Sequence, residues 1–337
     1  MPAEAVLEDV SVTPAPDNVF YETRAVPGKG HGCFALQDLK RGTRILSDRP
    51  IMSISNGNYL KEDVEEAFAK LSETDQKLYW GLASAHGQDP KMWPSRIHES
   101  VKGHEAARIK QQHEARTSKE PSLLSIFQNN CMEIGAGAGI FLHAARFNHS
   151  CHPNANFNWN ANIERETIHI IHDVKKGDEI TLSYCDMTHE KTLRAWELKH
   201  YGFTCDCEVC TGDETDPGGF ASQNVDRRYR IKELDQTTSY LRGPNLEMGV
   251  REPDFVNQLL DLAVLHLEIG DYSMRLANMQ IPGPCASVRL HRRLYGEDSP
   301  DYEKYKGTLK RIHGRFKAAQ KAEKEKEGQD SMDDVDI

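Results

Sequence analysis

The sequence lacks any apolar run long enough to cross a membrane, because no stretch of about eighteen consecutive apolar residues occurs in it. We therefore expect no membrane span. Residues 1–18 are acidic and have neither the basic start nor the apolar core of a signal peptide. They are also too acidic for a mitochondrial transit peptide, so we expect a cytoplasmic or nuclear location, where cysteine thiols stay reduced.

Basic residues are scarce relative to acidic ones. The 42 lysines and arginines face 52 aspartates and glutamates, which leaves a net charge of −10. This balance disfavours general nucleic-acid binding, which needs a basic surface. It favours basic partners, such as lysine- and arginine-rich peptide segments, through long-range attraction. With 337 residues, 38% of them hydrophobic, the chain can form one large globular domain or two ordinary ones.

Four of the eight cysteines indicate a metal site. Cys205, Cys207 and Cys210 form a C-x-C-x-x-C array, which is one ligand short of the tetrahedral set of a structural zinc site. Cys151, far upstream, is the natural fourth ligand. In a reducing compartment this pattern is more typical of metal ligands than of disulfides, with unliganded thiols as the alternative. Such a zinc would join two distant segments of the chain.

The spacing of apolar residues predicts both strands and helices. Short apolar stretches separated by glycine turns predict strands between residues 19 and 54. Apolar residues recur at helical spacing from Leu60 to Ala85. Strands are expected again across residues 121–186, and a helix is expected from Thr188 to His200. The sequence therefore predicts a mixed α+β fold.

Two polar segments could bind a ligand or could simply form turns. Three glycines surround Lys29 and His31, so the backbone there could approach a ligand closely, although a tight hairpin turn explains the same residues. Asn148 and His149 follow an apolar stretch, and buried side chains of this kind need hydrogen-bond partners. A bound polar ligand and an Asx-turn that ends a strand are equally good explanations.

Three aromatic residues also have two interpretations. Tyr184 follows a strand-like stretch, and Tyr201 and Phe203 lie just before the cysteine array. Aromatic side chains beside a metal site often serve packing alone. The two tyrosines could instead bound a narrow channel.

Taken together, four ordered segments resemble the SET-domain lysine methyltransferases. The segments are GHGCFA at 30–35, RFNHSCHPN at 146–154, GDEITLSYCD at 177–186 and YGFTCDCEVC at 201–210. The chain is similar to the SET-and-MYND branch and to its fungal relatives that lack the MYND finger. No cysteine lies between Cys33 and Cys131, so a MYND zinc finger is excluded in that stretch.

The resemblance implies a β-rich SET fold of small twisted sheets with a knot-like threading of its C-terminal part. Together with the composition, it divides the chain into segments. These are a disordered N-terminus (1–18), a SET domain (19–186) split by a helical insertion (55–120), a zinc-bound post-SET segment (187–212), a linker (213–224), a helical C-terminal region (225–321) and a flexible tail (322–337).

The resemblance also implies S-adenosylmethionine as the cofactor and assigns residues to it. Lys29 and His31 would lie by the carboxylate or amino end of the cofactor. Asn148 and His149 would hold its amino group and its adenine. Phe203 would stack on or cover the adenine.

The implied reaction is methyl transfer to a protein lysine. Tyr184 would stand at the inner end of a lysine channel, close to the transferring methyl group, and Tyr201 would close that channel. These two are the predicted catalytic residues, and Tyr184 would also contact the cofactor. Asn129 and Asn130 are candidates for a further cofactor contact. The implied structural zinc ion would be bound by Cys151 and the three cysteines of the array.

The expected partner is a lysine-bearing basic protein or peptide, bound by a monomeric enzyme without a membrane or nucleic acid. Two alternatives stay open. One is a catalytically silent SET-domain protein that acts as a binding or scaffold protein. The other is a SET-type enzyme whose substrate is a small molecule.

Overall fold

The computed structural model describes residues 18–94 and 96–239, together with residues 261, 262, 265, 266, 268, 269, 298, 300 and 303. The predicted tail at 322–337 lies outside these residues, as do residues 1–17 and most of the predicted C-terminal helical region. Within the described part of the chain, no helix combines the length and apolarity that crossing a membrane requires.

Short strands and helices alternate in blocks along the chain, which confirms the predicted mixed α+β content. The strands are β1 (Tyr21–Val26), β2 (Gly30–Ala35), β3 (Arg44–Asp48), β4 (Met52–Ile54), β5 (Cys131–Ile134), β6 (Gly137–Ile140), β7 (Ala155–Asn160), β8 (Arg165–Ile170) and β9 (Glu179–Ile180). The helices are α1 (Lys61–Ala69), α2 (Glu73–Trp80), α3 (Gly103–Thr117), α4 (Leu123–Asn130), α5 (Lys191–Lys199), α6 (Glu208–Thr211) and α7 (Phe220–Ser239). The described strands form three antiparallel sheets, ordered β1-β2-β9, β3-β8-β7 and β4-β6-β5.

Two apolar cores lie beneath these sheets. The first core joins the sheets β1-β2-β9 and β3-β8-β7 around buried residues such as Phe141, Phe147 and Ile168. The second core packs helices α1, α2 and α4 against strands β4 and β6 around Tyr79 and Phe127. The second core is built mainly from the segment between β4 and β5. That segment therefore forms a packed layer of its own beside the first core.

The expectation of strands throughout residues 121–186 is wrong at its start, where Leu123–Asn130 forms helix α4. Ser122 caps this helix, since its hydroxyl accepts a hydrogen bond from the Ser125 backbone N–H at 3.1 Å. Leu124, Ile126 and Phe127 are all buried. An apolar run as short as Leu123–Phe127 cannot be assigned to a strand or to a helix from the spacing of its residues alone.

The segment after β9 does not continue as a regular strand, although Glu179 to Tyr184 has strand-like composition. It runs instead beside residues 148–155. The Leu182 N–H donates to the Asn148 carbonyl at 2.9 Å, and the Ser150 N–H donates to the Leu182 carbonyl at 2.9 Å. The Asn154 side chain adds bonds to the Glu179 carbonyl and the Thr181 N–H. These bonds fix the two segments side by side.

The predicted helix at 188–200 is present as α5. Helix α7 begins at Phe220, inside the segment expected to be a linker. Between α5 and α7 the three cysteines of the array lie on and just before the short helix α6. The turn after α5 therefore carries Tyr201 and Phe203 alongside residues 148–155 and the segment that follows β9.

Candidate active site

A cavity of about 530 Å³ opens where four distant segments meet. Its volume is in the range of roughly 300–1,000 Å³ that small-molecule sites occupy. The lining residues come from the turn at 27–31, from 81–84 of the insertion together with 129–130 of α4, from the segment 145–149 with Tyr184, and from the segment 201–206. All seven residues predicted to serve the cofactor and the channel line it: Lys29, His31, Asn148, His149, Tyr184, Tyr201 and Phe203.

Two separate physical requirements explain the glycines in and beside the β1-β2 turn. Gly28 and Gly30 have φ values of +75° and +71°, in the left-handed region that favours glycine. At Gly32 the reason is space, because an added Cβ would lie 2.5 Å from Glu179 Oε1 and 2.9 Å from Asn148 Nδ2. The hairpin interpretation is therefore correct, since β1 and β2 pair as antiparallel strands, and at Gly32 the groups that approach closely are Asn148 and Glu179. Approach to a ligand stays a prediction.

Asn148 and His149 are each held by a defined partner. Asn148 Nδ2 donates to Glu179 Oε1 at 2.7 Å. His149 Nδ1 accepts the Tyr184 backbone N–H at 3.0 Å, so the ring proton belongs on Nε2, which lies 3.3 Å from Cys151 Sγ. Burial lowers the pKa of His149 to about 4, so the imidazole is neutral near pH 7. His149 thus links the tyrosine to the thiol cluster.

Tyr184 and Tyr201 form a partly buried aromatic pair with ring centroids 4.9 Å apart. The Tyr184 hydroxyl donates to the Phe147 carbonyl at 2.5 Å, which fixes the direction of the phenol. Burial raises the pKa of both tyrosines, so both remain protonated phenols. The exposed ring of Phe203 lies 6.1 Å from His149 and 6.3 Å from Tyr184.

Lys29 and Asp206 form an ion pair of 2.8 Å, and both residues line the cavity. The hydrogen bond raises the pKa of Lys29 and lowers that of Asp206. The pair joins the glycine-rich turn to the cysteine-bearing segment. Lys29 therefore has a partner within the protein, and a ligand carboxylate at this position would compete with Asp206 for it.

Sequence reasoning missed part of the cavity wall. Gly81 to Ser84 of the insertion line it, and no local pattern distinguishes these residues because only the folding of the insertion brings them here. Arg146 also lines it, and the Nε atom of Arg146 and the Oδ1 atom of Asn129 are buried without a hydrogen-bond partner. Polar atoms buried in this way are costly unless something satisfies them, so both are suited to contact a polar ligand.

The four predicted zinc ligands form one cluster, with their sulfur atoms all within 4.8 Å of one another. Cys151 Sγ lies 3.9 Å from that of Cys205 and 3.5 Å from that of Cys210. Zinc–sulfur bonds of about 2.3 Å at tetrahedral angles place sulfur atoms about 3.8 Å apart. The cluster therefore has the donor set and spacing that a zinc ion needs.

Comparison with known proteins shows that most of this site lies in a stretch that matches a known domain. Residues 30–185 match the model of the SET domain. A histone-lysine N-methyltransferase, set5 of Schizosaccharomyces pombe, is 28% identical over 196 residues, covering 58% of this chain and 51% of the relative. A SET and MYND domain-containing protein of Dictyostelium discoideum is 40% identical over 84 residues, covering 24% of this chain and 16% of the relative.

The chain thus matches about half the length of the first of these relatives. The structure of Rubisco LSMT bound to AdoMet is 13% identical and covers 89% of this chain and 87% of its own, with a TM-score of 0.36. A likeness at that score adds nothing to the domain match.

Proposed function

We propose that this chain, in which residues 30–185 form a SET domain, is an S-adenosylmethionine-dependent protein-lysine N-methyltransferase. One observation carries the proposal. The seven residues predicted for the cofactor and the lysine channel come from three distant parts of the chain, yet all line one cavity. The S. pombe relative is itself named a histone-lysine N-methyltransferase, which supports the same reaction class.

S-adenosylmethionine would supply a methyl group activated by a sulfonium centre. Asn148 and His149 would hold its polar groups through side-chain and backbone bonds. Phe203 would cover the adenine, and Lys29 and His31 would lie at the amino-acid end. The cavity contains both polar and aromatic side chains, which is the combination such a molecule requires.

Tyr184 and Tyr201 would shape the lysine channel and not act as bases, because burial raises the pKa of both phenols. The proton of Tyr184 is committed to the Phe147 carbonyl. The phenol oxygen therefore keeps its lone pairs for weak CH···O contacts with a polarised methyl group. Between two buried rings an arriving lysine amine would lose water, and desolvation favours the neutral, nucleophilic form.

The finer parts of the proposal concern the region after the SET domain. Residues 187–212 would be a post-SET segment held by one structural zinc, and residues 225–321 would form an additional helical region. The zinc would hold Tyr201 and Phe203 over the cavity and take no part in the chemistry. Thiolate ligands suit a reducing compartment, so we also propose a cytoplasmic or nuclear location.

The expected substrate is a basic protein segment that carries the target lysine, since the chain has a net charge of −10. A monomer suffices for the described site, because one chain contributes every residue named above.

Calorimetry with purified full-length protein tests cofactor binding directly, and labelled S-adenosylmethionine added to a cell lysate tests transfer to protein. We expect binding, and label in proteins that acid hydrolysis returns as methyllysine. Absence of cofactor binding would contradict the proposal. Binding without transfer to any protein would favour the silent scaffold, and label in the small-molecule fraction would favour a small-molecule methyltransferase.

A further inference from the structure

Arg194 and Arg228 are two buried arginines beside the thiol cluster. Their relative exposures are only 2% and 6%. Arg194 lies in α5, and its Nε donates to Cys151 Sγ at 3.3 Å while Nη1 donates to the His189 carbonyl at 2.6 Å. A guanidinium that donates to a predicted zinc ligand stands directly behind the metal site.

Arg228 approaches the same cysteine from helix α7. Its Nη2 donates to the Cys151 carbonyl at 3.2 Å, and its Nε donates to the Met187 carbonyl at 2.8 Å. The remaining bonds go to the backbone and side-chain oxygens of Asn224, one turn earlier in the helix. Arg228 therefore connects α7 both to the segment that contains Cys151 and to the segment that contains Met187.

Neither guanidinium has a carboxylate among its hydrogen-bond partners in the described part of the chain. Burying an arginine without a counter-charge is costly, and carbonyl oxygens offset this cost only in part. The nearest groups able to carry negative charge are the clustered thiols. A zinc ion with four thiolate ligands has a net charge of −2, so two arginines balance it.

We propose that Arg194 and Arg228 are the positioning residues of the four-cysteine zinc site, balancing its charge and orienting Cys151. The inference rests on the zinc site of the proposed function and extends it to α5 and α7. Arg194 supports the Cys151 thiolate, and Arg228 fixes the backbone that carries it. Arg228 thereby attaches helix α7 to the backbone of Cys151, and the negative charge of the metal-bound cluster would strengthen this attachment.

The test measures zinc affinity of the full-length protein by competition with a chromophoric chelator. Loss of a hydrogen-bonding group behind a metal ligand typically weakens metal affinity about 10–100-fold. We expect losses of this size in Arg194→Met and in Arg228→Met. Arg194→Lys and Arg228→Lys keep the charge, are less disruptive to folding, and should fall between these variants and the unchanged protein.

Arg227→Met is the matched control, since Arg227 is the neighbour of Arg228 on α7 but pairs with the Glu268 carboxylate at 2.7 Å. Its zinc affinity should be unchanged. Substitution of cobalt for zinc adds a spectroscopic readout. Removing the N–H···S bond in Arg194→Met should shift the thiolate-to-cobalt absorption band, and an arginine that only supports packing would leave the band in place.

Zinc affinities of the arginine variants equal to that of Arg227→Met would overturn the inference while leaving the zinc site intact. An unchanged protein that binds no zinc would overturn it together with the zinc site. Calorimetry measures cofactor binding separately, so failure of this inference and failure of the proposed enzyme activity are distinguishable.

Discussion

At the scale of single residues, His149 shows how one side chain serves two parts of the site. Its backbone pairs with Leu182, its Nδ1 accepts the Tyr184 N–H, and its Nε2 faces Cys151. Only a neutral imidazole with its proton on Nε2 can accept the Tyr184 N–H at Nδ1 and donate to the Cys151 sulfur from Nε2. The orientation of Tyr184 is therefore tied to the thiol cluster through one histidine.

Tyr184→Phe should slow methyl transfer with little change in cofactor affinity. The change removes the hydroxyl that bonds the Phe147 carbonyl and that would accept CH···O contacts from the methyl group. Such contacts contribute about 0.5–1 kcal/mol each, which corresponds to about a two- to fivefold loss of rate. Single-turnover methylation of a lysate substrate measures it.

Tyr79→Phe is the control for this change. Tyr79 is also buried and its hydroxyl donates to a backbone carbonyl, that of Leu123 at 2.7 Å, within the core of the insertion. The Tyr79→Phe variant should be less stable than the unchanged protein but should transfer the methyl group at the same rate. Equal methyl-transfer rates in the two variants would contradict a role for the Tyr184 hydroxyl in the reaction.

At the scale of elements, the insertion is attached to α5 through Trp93. This indole is buried, its ring lies 5.8 Å from Trp196 and 4.9 Å from His200, and its Nε1 donates to Gln88 Oε1. Gln88 in turn bonds the His200 carbonyl at 3.5 Å, next to Tyr201. Part of the insertion thus supports the turn that carries the predicted channel residue.

Trp93→Ala should lower the free energy of unfolding by about 3–5 kcal/mol and weaken cofactor binding, because a large buried side chain is lost beside the Tyr201 turn. Denaturant unfolding and calorimetry measure the two effects. Trp80→Ala, in the same insertion but 47% exposed, is the control and should change stability far less. A Trp93 variant as stable as the control would show that the contact contributes little.

The cysteine segment should depend on its metal. Cys207→Ser removes one of four zinc ligands, so we expect loss of zinc and greater hydrogen exchange across residues 201–210, since structural zinc binding is coupled to folding. Cofactor affinity should fall because Phe203 lies in that stretch. Metal analysis should give one zinc per chain for the unchanged protein and for Cys131→Ser, whose thiol lies on β5 beside Tyr59. Full zinc content in Cys207→Ser would contradict the ligand assignment.

At the scale of the whole molecule, the described sheets bury histidines that must stay neutral. His169 is 2% exposed, and its Nε2 accepts the Arg44 Nε–H at 3.1 Å. Burial, and after it the positive charge of Arg44, lowers the pKa of His169 to about 3. The unfolded chain binds this proton below its usual pKa of about 6.5, so protonation favours unfolding across the interval between these values.

The free energy of unfolding should therefore fall as the pH drops from about 6.5 towards 3, by up to about 1.4 kcal/mol per pH unit from His169. His169→Gln should reduce this slope, because a glutamine oxygen can accept the Arg44 bond without titrating. Urea unfolding at several pH values measures it. His104→Gln, at an exposed position of α3, should leave the slope as it is, and equal slopes in both variants would contradict the role of His169.

The sequence alone determined which residues have the necessary chemistry. Thiols at zinc-ligand spacing could be recognised from their residue types and order. The Asn148-His149 pair and the two tyrosines became candidates for a methyl-transfer site through the resemblance of four ordered segments. The mixed α+β content followed from local apolar spacing. What the sequence could not show is how these segments meet, since local spacing contains no information about distant contacts.

Only the tertiary structure decided the rest of the site. It folded Leu123–Asn130 as helix α4, brought Gly81 to Ser84 into the cavity wall and paired Lys29 with Asp206. It also placed Arg194 and Arg228 behind Cys151. In the sequence both arginines look like ordinary charged residues of helices. Their role depends on burial and on long-range neighbours, which arise only when the chain packs.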